Sequence, residues 1–557
     1  MTLHTSNPNN PVQAATIWTQ PIAENLQKLG IKSDFQPHSQ WISRLSLNRS
    51  DWLTVAEVLR SLEARFSALW ADEFPEYAEV LCLYFVENHY LLVTTKICTP
   101  ELHLASITTV FPAANRMERH TQDLLGIAFN DSPDDRRWTR HRAWKEKEYP
   151  LRQHFPLQPE AQKPTPADSH YPFFQTQGSA VYEIPVGPIH AGIIEPGHFR
   201  FQAVGETILN IEERLGYTHK GIEKLAVGRS PQDLLKLAAR VSGDSSVAHS
   251  WAAAKALESQ LNIQVDNKVH LLRALICERE RIANHVGDIG AICNDVGFTF
   301  PHQQCARMRE LWQRQQNLVF GHRLLMDCIT LGDVSFSLED AQLNKLQNEA
   351  FDFKKDFSQL IQIIQDYPSL EDRLANTGTL PPITAKQLGC LGYVAKASRF
   401  YVDVRIDTPY PPYHMFCPDK IRHKTGDVMS RLQVRVDEVR DSLRLIEEIL
   451  NCLKSDTAPC AISGDQAADL IEEKASHQSS HSKTSSNIGS IGLVEAWRGE
   501  LICYIRLDAD GKVCRYFPRD PSWLNWPALE ALLDGNIVPD FPVCNKSVNA
   551  SYSGVDL

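Results

Sequence analysis

Histidines, carboxylates and arginines gather at several places in this sequence where proton transfer or anion recognition is chemically available. The string GPIHAGIIEPGHFRF (residues 187–201) sets His190, Glu195, His198 and Arg200 on or beside short apolar strands. Soon after, YTHKGIEKL (217–225) adds His219 and Glu223. The string RVSGDSSVAHS (240–250) carries Arg240, Ser242, Ser245 and His249, and ERERIANHVGDIGAICNDVGF (278–298) places an Asn–His pair and Asp295 on a helix of otherwise apolar or small residues. Imidazole titrates near neutrality, and a buried carboxylate beside it sets its basicity. Hydrogen-bonded core histidines and a helix-capping aspartate are the plainer alternatives.

The elements that must hold these residues follow from composition and periodicity. A chain of 557 residues, 43% hydrophobic and 22% charged, is long enough for two to four domains with sizeable cores. A net charge of -11 argues against a nucleic-acid partner, which would need clustered Lys and Arg. The 13 cysteines include no C-x-x-C pair, so cysteine metal sites and a disulfide framework are both disfavoured. Apolar runs such as LCLYFV (81–86) are far too short for a bilayer, and the first twenty residues carry no export signal, so a cytoplasmic location is expected.

Residues 1–25 read as a flexible entry, 26–155 as a compact α+β domain, and the Pro-rich 156–178 as a linker. From 179 to 557 helical spacing dominates, with small β-sheets and a Ser/His/Lys-rich low-complexity stretch at 463–488. The fold class is therefore α+β, an α+β domain followed by a mainly helical bundle.

Three resemblances sharpen this reading. The charge-dense string from Arg116 to Pro156, which pattern alone would make a solvated face, resembles the signature of the 30 kDa subunit of respiratory complex I. It matches through Glu118, Arg119, Asp123, Gly126, Pro133, Asp134, Arg136, Arg137, Pro150, Leu151, Arg152 and Phe155. In that family the segment docks adjoining subunits. The strings around His190 and His219 resemble the start of the 49 kDa subunit of complex I and of the large subunit of energy-converting nickel-iron hydrogenases, where the hairpin loop lines the redox cavity. Lys220 stands where that family has Arg. The resemblance continues through GYVAKASRFYVDVRIDTPY (392–410), with departures at Lys396 and Arg399. The fused arrangement of the two halves resembles that of the hydrogenase-4 and formate hydrogenlyase large subunits.

Hydrogenases of this class hold nickel with four thiolates, from R-V-C-G-I-C and D-P-C-x-x-C motifs. Here Ser242, Ser245, Ser551 and Gly554 occupy the four positions. Hydroxyls and a bare backbone are poor ligands for a soft metal, so a nickel-iron centre is not expected. The resemblance then implies an electron-transfer subunit that passes electrons from an iron-sulfur cluster in a small partner subunit to a quinone-like acceptor, with no cofactor bound by this chain. In that reading His190 or His198 carries protons, Asp295 sets a histidine's basicity and Arg240 orients the acceptor, while Glu195, Arg200, His219, Glu223 and His249 line the cavity. The tyrosine that complex I offers to quinone has no counterpart at Ala239 or Arg240. Antiporter-like membrane subunits would be partners, with the chain peripheral on the cytoplasmic face of the inner membrane and coupled to ion translocation. Two further readings stay open: a non-catalytic coupling subunit of a membrane ion or inorganic-carbon transport complex, and a working hydrogenase.

Overall fold

The computed structural model describes residues 18–98, 101–141, 144–157, 171–190, 192, 194–455 and 489–557. The low-complexity stretch 463–488 lies outside the described residues. The chain divides into two compact units, one reaching to Pro172 and the other beginning at Phe173. Among the described residues no helix is long and apolar enough to cross a membrane.

The first unit is built on a five-stranded sheet. Helix α1 (Gln20–Lys28) leads into β1 (Phe35–Ser39) and β2 (Ile42–Leu47), followed by α2 (Trp52–Ser61), β3 (Arg65–Glu73), β4 (Tyr77–Val86), β5 (His89–Cys98) and α3 (Asn115–Leu125). The sheet order is β1-β2-β5-β4-β3, with β2 and β5 parallel and the other pairs antiparallel. Strand β3 is buried almost throughout, as expected of a strand covered on both faces. Helix α1 corrects the expectation of a flexible entry over residues 1–25, at least from Trp18 onward. Trp18, Ile22 and Leu26 recur every fourth residue, bury together, and Trp18 stacks on His89 with ring centroids 4.9 Å apart.

The charge-dense string of this unit is an internal scaffold, not a solvated face. Glu118 on α3 accepts from Ser106 Oγ (2.6 Å), Ile107 N–H (2.7 Å) and Thr108 Oγ1 (2.9 Å). Asp123 accepts the backbone N–H groups of Trp138, Thr139 and Arg140 at 2.7, 2.7 and 3.1 Å. Two carboxylates on one helix thus fix two loops. Glu118→Ala would strand three buried donors, and we expect it to lower the unfolding free energy of this unit by about 2–3 kcal/mol. Urea denaturation followed by circular dichroism checks this, and an unchanged midpoint would contradict the clamp.

In the second unit, β6 (Tyr182–Val186), β7 (His198–Val204) and β8 (Thr207–Arg214) form an antiparallel sheet with β7 central. Helices α4 (Pro231–Ala238), α5 (Ser246–Leu261), α6 (Asn267–Asp295), α7 (Thr299–Phe320), α8 (Asp340–Gln365) and α9 (Val428–Lys454) follow. A meander of β9 (Ser490–Ala496), β10 (Gly499–Leu507) and β11 (Val513–Arg519) leads to α10 (Ser522–Leu532) and α11 (Phe541–Val548). Helix α6 is the centre of the bundle, packed between α7 and α9, and α5 lies on β9 and β10. Gly492 permits that last contact, because a Cβ there would run into the Ala252 carbonyl.

Candidate functional site

The four corner positions come together although they are far apart in sequence. Ser242 and Ser245 lie in the turn entering α5, and Ser551 and Gly554 on the segment after α11. Ser242 Oγ and Ser551 Oγ are 2.9 Å apart, and Ser551 Oγ accepts the Gly554 N–H at 2.9 Å. Ser245 Oγ accepts from Trp497 Nε1 at 3.0 Å. Between the first two corners, Asp244 accepts Ser242 Oγ–H at 2.7 Å and a two-pronged contact from Arg498 at 2.8 and 2.6 Å. Burial raises the Asp244 carboxyl, but the charge and hydrogen bonds of Arg498 more than offset this and hold it below its usual range.

Beneath the corners lies a second pair. Asp520 Oδ2 is 3.0 Å from His249 Nε2, and Oδ1 accepts the Ser522 N–H at 2.8 Å. Burial pushes this carboxyl up, yet His249, then Arg498, bring it down to about 2, so it is an anion at neutral pH. On the other side, Ser553 Oγ lies 3.4 Å from Ser551 Oγ, and its backbone N–H donates to Glu195 at 3.2 Å. A row of hydroxyls therefore joins Asp244 to Glu195.

A nickel centre does not fit these residues. The two nearest corner hydroxyls are bonded to each other, and the oxygens offered in place of four thiolates are hard donors. The fourth corner has no side chain, and a Cβ at Gly554 would lie 2.8 Å from Asp520 Cγ. The space of a fourth ligand is filled by the Asp520 carboxylate. Among the described residues, no group of three or more His, Cys, Asp or Glu side chains is arranged to hold a metal.

The structure scatters some of the other expected site residues. Arg240 faces outward with its side chain 47% exposed, paired to Asp327 at 2.6 and 2.8 Å. The arginine at the corners is instead Arg498, in the tight turn between β9 and β10. Asp295 is the last residue of α6, where partial burial raises its carboxyl and the charges facing it are Lys546 and His302. It does not partner His198, whose Nδ1 lies 2.9 Å from the Gly187 carbonyl and whose Nε2 accepts from Arg200 at 3.5 Å. Burial lowers the His198 pKa, and Arg200 and Arg214 lower it further against that carbonyl. Arg200 is also paired to Glu183 at 2.8 Å. His190 Nδ1 accepts the Gly192 N–H at 3.1 Å. His219 lies in an exposed turn, tied down when neighbouring Lys220 donates to the carbonyls of Arg240 and Val241 at 2.6 and 2.9 Å. Glu223 is buried in an ion pair with Arg515. Of the expected set, only Glu195 and His249 adjoin the corners.

Sequence reasoning missed Asp244, Arg498 and Asp520, although the first stands inside the RVSGDSS string. It also missed a buried ionic cluster behind the corners. On α6, Glu278 accepts from Arg281 (3.1 Å), Arg405 (2.9 Å), Tyr413 (2.6 Å) and Ser442 (2.6 Å). Asp403 pairs with Arg405 and Lys396, each at 2.8 Å, and Glu438 pairs with Lys396 at 2.7 Å and faces His285 at 2.6 Å. Burial opposes ionisation of Glu278, but Arg281 and Arg405 hold it at about 2. Three acids thus balance three bases, Arg281, Arg405 and Lys396. Burial and the neighbouring Asp403 push the nearby Glu495 carboxyl well above its usual range.

A fused polypeptide of this architecture, with a degenerate four-corner pocket under a small hairpin sheet, defines a class. Residues 45–161 match the family model of the respiratory-chain NADH dehydrogenase 30 kDa subunit, 220–287 that of nickel-dependent hydrogenases, and 295–557 that of the NADH dehydrogenase 49 kDa subunit. The chain is a complex I-like subunit related to the membrane-bound nickel-iron hydrogenases.

Within that class, it belongs to the family of hydrogenase-4 component G and formate hydrogenlyase subunit 5. It is 31% identical to hydrogenase-4 component G of Escherichia coli (strain K12), over 84% of this chain and 79% of that protein. Formate hydrogenlyase subunit 5 of the same organism is 30% identical over 81% of this chain and 76% of its own length. An NADH-quinone oxidoreductase polypeptide of Bacteroides fragilis (strain YCH46) is 27% identical over 63% of this chain and 69% of its own.

Proposed function

We propose that this chain is the electron-transfer subunit of a membrane-associated, complex I-like oxidoreductase, passing electrons from a partner's iron-sulfur cluster to a quinone-like acceptor, coupled to ion translocation. The observation that carries this reading is the remade corner. The pocket frame is retained, while three hydroxyls and a glycine stand at its metal-ligand positions beside a fixed Arg498–Asp244 pair suited to hydrogen-bonding an oxygen-bearing acceptor and moving protons. Kinship to quinone-reducing subunits supports the acceptor class, and kinship to membrane-bound hydrogenases supports membrane partners and a peripheral position beside them. The site residues proposed for this role are Arg498, Asp244 and Glu195, with His198 at the start of β7 and His190 in the loop that precedes it.

Purifying the intact complex and assaying quinone reduction driven by NADH, ferredoxin or formate tests the proposal. Donor-dependent quinone reduction without stoichiometric nickel is the expected result. A complex inert to every donor that still transports ions would establish the second reading, a coupling subunit, which the internally satisfied corner hydroxyls favour. Stoichiometric nickel with hydrogen evolution would overturn both.

A further inference from the structure

Between α6, α7 and the turn entering α5 lies a cavity of about 10 Å³, room for a single water. Asp244, Glu280, Asn284, Gln313 and Gln316 line it. Glu280 is 5% exposed, and its two oxygens accept the N–H groups of Val247 (2.8 Å) and Ala248 (3.3 Å) at the start of α5. Gln316, 2% exposed, donates to the Arg323 carbonyl at 2.8 Å, but its buried Oε1 has no partner. Buried acceptors are ordinarily satisfied, so an unpartnered one lining a water-sized cavity marks a water site. Asn284 fixes the walls, donating to the carbonyls of Asp244 (2.7 Å) and Glu280 (2.9 Å).

We propose that this cavity holds one water that joins Glu280 to Asp244 as a proton relay feeding the serine corner. The water accepts from a protonated Glu280 and donates to Gln316 Oε1 and the Asp244 carboxylate, three hydrogen bonds in all. Transfer breaks the Glu280 O–H bond, passes that proton to the water, and moves one of the water's protons onto Asp244. Glu280 becomes a carboxylate, and Asp244, the weaker base of the two, is a neutral acid only until the corner draws its proton; no electron moves. Asp244, its side chain 33% exposed, is hydrogen-bonded by Ser242, so the relay opens onto the corner.

The two carboxyls have opposite environments, the arrangement that separates an acid from a base. The titratable groups facing Glu280 are Asp244 across the cavity, Arg281 and Cys277 on its own helix, and Cys328 beyond the end of α7, while α7 presents the uncharged Gln316 and Gln313, the latter accepting from Arg323 at 2.9 Å. Burial pushes Glu280 up to about 8 despite the two backbone donors, and Arg498 keeps Asp244 ionised. The use made of the proton rests on the acceptor reduction proposed above; the relay itself is measurable without it.

Infrared difference spectra of the purified full-length chain, titrated from about pH 6 to about pH 10 in H2O and D2O, test it. A neutral-carboxyl C=O band that titrates near pH 8, vanishes in Glu280→Gln and shifts in frequency in Gln316→Leu is expected. The same titrating band in wild type and Glu280→Gln, or an unshifted band in Gln316→Leu, would overturn the relay. If Glu280→Gln does not fold, the frequency in Gln316→Leu decides alone. The readout needs neither donor nor acceptor, so its failure is separable from failure of quinone reduction.

Discussion

An Arg405→Ala variant is expected to lose about 3–5 kcal/mol of unfolding free energy, the effect of leaving buried charges unpaired. Arg405 bonds Asp403 through both its Nε (3.0 Å) and its NH2 (2.8 Å), and reaches Glu278 with NH1 at 2.9 Å. Lys in its place would keep the charge and lose the fork, so Arg405→Lys should recover only part of the loss. Guanidinium denaturation followed by tryptophan fluorescence measures both, and a loss below about 1 kcal/mol for alanine would remove the cluster from any account of stability. The same cluster gives the unit an acid limit. The Glu278 pKa is lowered from 4.5 to about 2 on folding, so its contribution is complete above pH 4.5 and disappears as pH falls through about 2.

Returning cysteine to all four corners should not rebuild a nickel site. At Gly554 the new Cβ would press on Asp520, whose carboxylate is held by His249 and the Ser522 N–H. Gly554→Cys alone should destabilise the fold by about 1–3 kcal/mol through overpacking. The quadruple variant, Ser242→Cys, Ser245→Cys, Ser551→Cys and Gly554→Cys, should carry far less than one nickel per chain by elemental analysis. Near-stoichiometric nickel in it would show that Asp520 yields its place readily and that the corner has stayed plastic.

Much of this was legible in the sequence because motifs are local. The RVSGDSS and SYSG strings mark the corners, alternating apolar residues mark the strands, and apolar spacing of three and four marks the bundle helices. The misread residues are those whose direction is decided by elements far away. Arg240 and Asp244 stand four positions apart, yet one points outward to Asp327 and the other inward to Arg498. Asp295 ends a helix, where the neighbour it meets depends on how α11 packs, and that neighbour is Lys546. The ERER run is four consecutive charges whose surroundings the sequence does not name; packing against α9 and the Asp403–Arg405 segment makes it an interior. Trp18, Ile22 and Leu26 carried a usable four-residue spacing hidden by the polar text before them.

The hydroxyl contact between Ser242 and Ser551 joins positions 309 residues apart. A ribosome adds roughly 5–20 residues each second, so about 15 to 60 s separate the synthesis of its two halves. Throughout that interval the nascent chain has no closed corner, and bringing so distant a pair together is a late, entropically expensive step of folding. The corner therefore closes only after Ser551 has been synthesised, and anything that reads its closed form must follow that step.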